Sequence, residues 1–148
     1  ACTTKGVMTM FDEYQIDLKG KNAVMIGRSA IVGKPMAALM LNAGASVSIL
    51  HLLTKDITQY TKQADIIVSA TGSLHTLTKN DVKPGAVVID VGQNINEAGH
   101  LVGDVDYDDL FDEVSYITPV PGGVGPMTIA TLMQQTVDLA EWSLERDQ

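Results

Sequence analysis

Short apolar runs alternate along this chain with segments of helical spacing, and this alternation restricts the fold more than any other feature. Four runs occupy residues 22–26, 46–50, 65–70 and 86–91, and a brief fifth strand is predicted at 116–117. Strands that are apolar throughout are typical of a parallel sheet covered on both faces by helices. Right-handed crossovers then favour a doubly wound topology. We therefore predict an α/β, Rossmann-like fold with a mostly parallel sheet of about five strands.

The segments between these runs predict helices. Helices are expected over residues 7–14, 33–41, 56–63, 107–113 and, as the longest, 128–145. One helical turn is expected at 79–82, a loop or small hairpin at 94–102, and a Pro/Gly loop at 119–126. A core-facing stripe is predicted on the last helix, formed by Ile129, Leu132, Met133, Val137, Ala140 and Leu144. Trp142 lies off that stripe and is predicted to be exposed.

Charge and composition exclude several classes of protein. The 148 residues include 18 acidic and 10 basic side chains, a net charge of −8, which argues against nucleic acid or an anionic membrane as a partner. No apolar run approaches the roughly 18 residues of a membrane-spanning helix. One cysteine, Cys2, excludes an internal disulfide or a multi-cysteine zinc site. We expect one soluble, cytoplasmic domain without a metal site.

Residues 27–33, Gly-Arg-Ser-Ala-Ile-Val-Gly, join the first predicted strand to a helix. Ligands of open α/β sheets bind beyond the carboxyl ends of the strands, and a glycine turn before a helix is a common phosphate site. The spacing is not GxGxxG, because Ser29 occupies the second glycine position and Gly33 comes one residue late. On this loop alone, an ordinary strand-to-helix turn remains an alternative.

Two features favour NADP over NAD as the ligand of this loop. The second strand ends in Ile49-Leu50-His51, without the acid that binds ribose hydroxyls in the NAD fingerprint. Arg28, one of two arginines in the chain, lies inside the glycine loop, where its guanidinium can bind a 2′-phosphate. A surface ion pair is the alternative role for Arg28.

Residues 119–126 contain three prolines and three glycines, which together specify the backbone closely. This loop follows the fifth predicted strand on the same edge of the sheet and precedes the longest helix. We interpret it as a wall that faces the ligand. A rigid connector is the alternative.

In these two loops the sequence resembles the bifunctional methylenetetrahydrofolate dehydrogenase/methenyltetrahydrofolate cyclohydrolase family. The signature GRS-x-x-VG-x-P matches residues 27–35, and PGGVGPMT matches residues 121–128 unchanged. Residues 70–72, 90–92 and 103–105 also match. The resemblance implies oxidation of 5,10-methylenetetrahydrofolate by NADP and hydrolysis of the product to 10-formyltetrahydrofolate, within one-carbon metabolism and purine biosynthesis.

The resemblance also implies that this chain is the second of two domains. We expect residues 1–20 to form a junction segment and helix, and residues 21–148 to form the NAD(P)-binding domain, with the N-terminal catalytic domain absent. That missing domain would bind most of the tetrahydrofolate derivative. No tyrosine here has a lysine four residues later, so the family's Tyr-x-x-x-Lys lysine is missing and no catalytic residue is assigned. The chain alone is expected to be inactive, and a homodimer through this domain is implied.

The resemblance implies that the family's cofactor-binding residues match this sequence position by position. Pro121, Gly122 and Gly123 match a wall shared with folate. Gly27, Arg28 and Ser29 match phosphate and 2′-phosphate contacts, Val32 an adenosine-side contact, and Gly125 and Thr128 the nicotinamide end. The predicted cofactor-binding residues are Gly27, Arg28, Ser29, Val32, Gly33, Leu52, Ala70, Thr71, Gly72, Gly92, Gln93, Gly125 and Thr128.

Two positions depart from the family. After the second strand the family often has His-Ser or His-Arg, whose second residue helps to hold the 2′-phosphate, but here the pair is His51-Leu52. Leucine forms no hydrogen bond, and one charge-assisted bond is worth about 1.5–3 kcal/mol. Near the nicotinamide the family often has Gly-Ile-Asn, where this chain has Gln93 in the middle. Two other interpretations therefore stay open, namely a non-catalytic dinucleotide-binding module and a structural or dimerisation domain without cofactor.

Overall fold

The structure, a computed structural model, describes the backbone of residues 2–146 and the side chains of residues 2–143. Its strands, in chain order, are β1 (Asn22–Ile26), β2 (Ser46–Leu50), β3 (Ile66–Ser69), β4 (Val87–Asp90), β5 (Asn94–Ile95), β6 (Leu101–Val102) and β7 (Tyr116–Ile117). The helices are α1 (Cys2–Glu13), α2 (Gly33–Asn42), α3 (Thr58–Thr61), α4 (Tyr107–Leu110) and α5 (Val124–Arg146), with a 3-10 turn at Lys79–Asp81.

Five of the strands form one sheet in the order β2-β1-β3-β4-β7, and every pair in it is parallel. The remaining two, β5 and β6, form a small antiparallel hairpin. The chain runs outward from β1 to β2, returns to β3 and continues to β7, which is the doubly wound order. The predicted α/β fold is thus confirmed, including the hairpin as one of the two predicted forms of residues 94–102.

Apolar side chains are buried on both faces of this sheet. One face packs Met25 and Val68 against α1 and α2, which contribute Phe11, Met36 and Met40. The other face packs strand residues such as Val24, Ile67 and Val88 against shorter elements, with Leu77 and Leu110 at the centre. Burial on both faces explains why β1, β3 and β4 are apolar almost throughout.

Four helices differ clearly from the predicted bounds. α4 ends at Leu110 rather than at residue 113. α1 begins at Cys2 rather than at residue 7, and it buries Val7 and Phe11 in the core. α3 is four residues long, because the chain turns at once into β3, where the Asp65 N–H donates to the carbonyl of Asn22 (2.8 Å). α5 begins at Val124, inside the predicted Pro/Gly loop, since proline is tolerated in a first helical turn, where N–H groups lack helical partners.

The predicted core stripe of α5 is wrong. Ile129, Leu132, Met133 and Val137 are each more than half exposed, Ala140 is exposed, and the side chain of Leu144 lies outside the described ones. α5 instead packs on α1 through smaller and polar groups: Thr131 is buried, and the Cys2 thiol lies 3.1 Å from the Gln135 side-chain oxygen.

Trp142 is 54% exposed, as predicted. None of the helices formed by residues 2–146 combines the length and apolar character needed to cross a membrane.

Candidate functional site

Two clefts lie at the edge of the sheet where the parallel strands end. The first, of about 470 Å³, is lined by Ile26, Gly27, Arg28, Ser29, His51, Leu52, Thr54, Ile57, Ala70, Thr71, Ser73 and Thr76. The second, of about 580 Å³, lies beside Val32 and the ends of β4 and β7, and includes Gly92, Gln93 and residues 119–126. The loop 27–33 borders both clefts, since Arg28 and Ser29 face the first and Val32 the second.

Gly27 lets the ends of β1 and β3 approach each other closely. Its φ is 120°, a conformation that L side chains rarely adopt, and an added Cβ would lie 2.6 Å from the carbonyl oxygen of Ala70. Gly33 meets the same loop from the helix side, where a Cβ would lie 2.7 Å from the Cα of Arg28. Gly27 therefore permits a tight turn and Gly33 close packing of α2, as the sequence predicted.

Ser29 organises the start of α2. Its hydroxyl oxygen accepts hydrogen bonds from the backbone N–H groups of Val32 (3.1 Å) and Gly33 (3.2 Å). Those two amides are thus already paired, while the hydroxyl proton of Ser29 stays available to donate to an anion. The predicted phosphate contact of Ser29 therefore rests on its side chain.

Arg28 is exposed and forms no ion pair with the side chains of residues 2–143. The alternative role as a surface ion-pair partner is therefore not seen among these residues. Arg28 lines the first cleft, and its guanidinium carries five N–H donors.

The turn after β2 brings His51 and Leu52 to the same cleft. The His51 N–H donates to the Thr54 hydroxyl (3.0 Å), and the Nδ1 atom of His51 accepts from the Leu53 N–H (3.3 Å). His51 therefore shapes a tight turn as well as lining the cleft. Leu52 is 96% exposed at the rim and offers no hydrogen bond.

Two carboxylates at these clefts, Asp90 and Asp104, are buried. Asp104 begins an acidic run that predicts a solvated face, and that expectation is wrong for Asp104 itself. Asp104 accepts the backbone N–H groups of Thr71 (2.7 Å) and Gly72 (3.1 Å), so it holds the turn that follows β3. Asp90, at the end of β4, has a raised pKa because burial disfavours its charged form. Their signal in the sequence was an acid that ends the apolar run at Asp90 and a second acid directly after Gly103.

The second cleft combines the hairpin side of β4 with the start of α5. The peptide bond between Val120 and Pro121 is cis. Gly123, two residues later, is buried. The Thr128 hydroxyl donates to the carbonyl of Val124 (3.1 Å) and lies 3.3 Å from the Thr3 hydroxyl.

The structure brings most of the predicted residues to one of the two clefts. Gly27, Arg28, Ser29, Leu52, Ala70 and Thr71 line the first, and Val32, Gly92, Gln93, Pro121, Gly122, Gly123, Gly125 and Thr128 line the second. Gly33 and Gly72 line neither cleft: Gly33 is buried against the backbone of Gly27 and Arg28, and Gly72 is exposed in the turn after Thr71. Among the side chains of residues 2–143, no group of three His, Cys, Asp or Glu is placed to hold a metal ion.

Comparison with known proteins agrees with this geometry. The family described as "Tetrahydrofolate dehydrogenase/cyclohydrolase, NAD(P)-binding domain" matches residues 1–144. The chain is 58% identical over 144 residues to the bifunctional protein FolD of Pediococcus pentosaceus, covering 97% of this chain and 51% of that protein. It thus spans about half the length of the curated relatives it matches.

Two solved structures share the fold closely. The FolD methylenetetrahydrofolate dehydrogenase/cyclohydrolase of Campylobacter jejuni superposes with a TM-score of 0.94 at 55% identity, over 95% of this chain and 50% of that one. The Trypanosoma brucei enzyme, complexed with NADP cofactor and an inhibitor, gives 0.91 at 38% identity, over 97% of this chain and 51% of that one. The chain therefore belongs to the tetrahydrofolate dehydrogenase/cyclohydrolase family, as its NAD(P)-binding domain.

Proposed function

We propose that this chain is the NADP-binding half of an enzyme that oxidises 5,10-methylenetetrahydrofolate to the methenyl form and hydrolyses that product to 10-formyltetrahydrofolate. The observation that carries the proposal is Arg28, a guanidinium without an ion-pair partner among the described residues, set in a cleft at the carboxyl ends of the strands. Dinucleotides bind at this edge of doubly wound sheets.

The residues present fit a phosphorylated dinucleotide. Close approach of Gly27 to Ala70 keeps the floor of the first cleft free of a side chain that would block a ligand. Arg28 can pair with a 2′-phosphate through parallel charge-assisted hydrogen bonds, and the Ser29 hydroxyl can donate to a phosphate oxygen. In the second cleft, Gly125 and Thr128 would border the nicotinamide end, and residues 121–123 would separate it from folate.

NADP, when bound, accepts a hydride from the substrate, and the chain's own residues contribute orientation and exclusion of water. The loops 27–33 and 119–123 would hold the two ends of the cofactor, because they line the first and the second cleft. The chain contributes no catalytic residue to this proposal, so the groups that move protons belong to the folate-binding half. The 148-residue chain alone should bind NADP without turning over substrate.

The apolar end of α5 supports the presence of that second half. Leu132, Val137, Leu139 and Trp142 are all at least half exposed, and an apolar surface of this kind marks an interaction site. We propose that the folate-binding half packs here, and that two copies associate through this domain. A cytoplasmic location belongs to the same proposal, because a single cysteine suits a reducing compartment.

Equilibrium titration of the chain with NADP and with NAD tests the proposal. Tighter binding of NADP than of NAD supports the assignment. Equal binding favours a dinucleotide-binding module without 2′-phosphate recognition, for which the apolar Leu52 at the rim is the relevant observation. Absence of binding to either nucleotide would leave only the structural interpretation.

A further inference from the structure

Asp104 lies under the first cleft, fully buried, and its carboxylate is surrounded by four donors. One oxygen accepts from the Ser69 hydroxyl (2.9 Å) and the Thr71 N–H (2.7 Å). The other accepts from the Gly72 N–H (3.1 Å) and the Asn94 side-chain amide (3.0 Å). A single side chain therefore joins the end of β3, the turn after it and the start of the β5–β6 hairpin.

Asp90 holds the backbone of Asp104 in place. One of its oxygens accepts from the backbone N–H groups of Gly92 (2.9 Å) and Asp104 (3.0 Å), and the other from that of Val105 (3.0 Å). Its own N–H donates to the Thr118 hydroxyl (2.8 Å). The two carboxylates thus form a relay from the end of β4, through the backbone of Asp104, to the turn after β3.

Two glycines show how tightly this relay is packed. A Cβ on Gly92 would overlap the carboxylate of Asp104, and a Cβ on Gly103 would overlap that of Asp90. Each carboxylate therefore packs directly against a glycine, and no side chain at that glycine would fit.

We propose that Asp104 is a positioning residue for the cofactor, which fixes the turn Thr71–Gly72 and, through Asp90, sets the separation between the two clefts. The inference rests on the proposed function, because it concerns the site that would hold the dinucleotide. Thr71 lines the first cleft and Gly92 the second, so the relay links one wall of each. A dinucleotide must reach both clefts at once, and an error in their spacing weakens both contacts.

The carboxylate cannot be replaced by its isosteric amide without loss. All four partners of Asp104 donate in the arrangement described, which requires acceptors on both of its oxygens. An asparagine places an NH₂ group on one side, opposite the backbone N–H of either Thr71 or Gly72. One amide of the turn would then lose its partner, whichever way the side chain is oriented.

Asp104→Asn therefore tests the proposal by titration with NADP, compared with Val82→Ala. Val82 is buried in the core cluster that contains Leu77 and Leu110 and lines neither cleft, so its truncation controls for lost stability. At a temperature where both variants are fully folded, we expect at least a tenfold rise in the Kd for NADP for Asp104→Asn and less than a twofold change for Val82→Ala. A Kd within twofold of wild type for Asp104→Asn would overturn the proposal.

Should Asp104→Asn not fold, Ser69→Ala takes its place. Ser69 is fully buried and its hydroxyl donates to Asp104, so the substitution reaches the cofactor only through that carboxylate. The matched control is Thr61→Val, which removes a buried hydroxyl that has no hydrogen-bond partner among the described residues. A rise of at least threefold in the Kd for NADP with Ser69→Ala, and none with Thr61→Val, supports the relay. Equal affinities in both variants would contradict it.

Hydrogen exchange separates this proposal from the proposed function. If wild type binds neither NADP nor NAD, the function fails, yet the amide of Thr71 or of Gly72 should still exchange at least tenfold faster in Asp104→Asn or, if needed, in Ser69→Ala. The Ala70 amide, which donates to the Ile26 carbonyl (2.9 Å), should be unchanged. Unchanged protection at Thr71 and Gly72 would show that the carboxylate does not hold the turn.

Discussion

Gly27 lies so close to Ala70 that a Cβ built on Gly27 would stand 2.6 Å from the Ala70 carbonyl oxygen. This contact joins the ends of β1 and β3 at the floor of the first cleft. Gly27→Ala should therefore separate the two strand ends. Its cost should exceed the about 1–2 kcal/mol that left-handed backbone imposes on an L residue. We expect a lower melting temperature together with a loss of NADP affinity of about tenfold or more.

Gly85→Ala is the matched control for that variant. Gly85 also has a positive φ, 82°, but a Cβ there would meet nothing within 4 Å. It should lose stability by about 1–2 kcal/mol while keeping wild-type NADP affinity. Thermal unfolding and nucleotide titration on both variants check this, and similar affinity losses in the two would show that close approach is not what matters at Gly27.

Arg28→Ala should weaken NADP binding more than NAD binding, because only NADP carries the 2′-phosphate. Loss of charge-assisted hydrogen bonds worth about 1.5–3 kcal/mol corresponds to roughly 10- to 100-fold in the Kd for NADP. Lys34→Ala is the control, since it removes an exposed positive charge from the first turn of α2 without touching the cleft. Equal losses for the two nucleotides would remove the 2′-phosphate role from Arg28.

Leu52→Ser should strengthen NADP binding. Leu52 lines the first cleft with Arg28 but offers no donor, and a serine hydroxyl at that rim can donate to a 2′-phosphate. We expect up to about a tenfold lower Kd for NADP and no change for NAD. Leu53→Ser, at an exposed neighbour that does not line the cleft, should alter neither value. Isothermal titration of both variants distinguishes a specific gain from a general effect of removing surface leucine.

The strands were predictable because their residues are buried by this chain itself. Ile67 and Val88 belong to strands that are covered on both faces of the sheet, so their apolar character directly indicates a buried strand. The same logic failed for α5, where Leu132 and Val137 are apolar and yet exposed. Hydrophobic periodicity indicates that a face of a helix is buried in the complete protein, but it does not show whether this chain or another domain buries it.

The glycines of the candidate site could be predicted from the sequence, but the carboxylates that hold its turns could not. Gly27 and Gly33 flank a strand end and a helix start, and local geometry alone demands small residues there. Asp90 and Asp104 lie 14 residues apart, and their link crosses the β5–β6 hairpin. No local pattern encodes such a pairing, because it depends on how the hairpin folds back over β4.

Asp65 and Lys83 give the stability a pH dependence. Their side chains form an ion pair, and the Asn22 N–H also donates to Asp65 (2.8 Å). The hydrogen bond from Lys83, followed by that from Asn22, lowers the pKa of Asp65. Because the folded pKa lies below the unfolded value of about 3.9, the stabilisation is complete above that value and is lost as the pH falls through the folded pKa.

Asp65→Asn should therefore lower the free energy of unfolding by about 1 kcal/mol at pH 7, since both side chains are partly exposed and solvent screens the pair. The difference from wild type should shrink as the pH falls below about 4. Asp108→Asn, which removes an exposed carboxylate on α4, should show no such trend. Denaturant unfolding at several pH values measures this, and a difference that stays constant down to pH 2 would contradict the role of Asp65.

Trp142 reports on the surface that the folate-binding half is proposed to cover. It follows Gln135 by seven residues, two helical turns, so it extends the side of α5 that contacts α1 beyond the Cys2–Gln135 contact. As the one tryptophan of the chain, it should emit as a largely exposed indole. Adding a folate-binding half made without tryptophan should shift that emission to shorter wavelength, because the indole leaves water. Leu139→Glu should suppress the shift, while Glu141→Gln, on a different side of the helix, should preserve it. An emission maximum that does not move when the two halves bind would place the interface elsewhere.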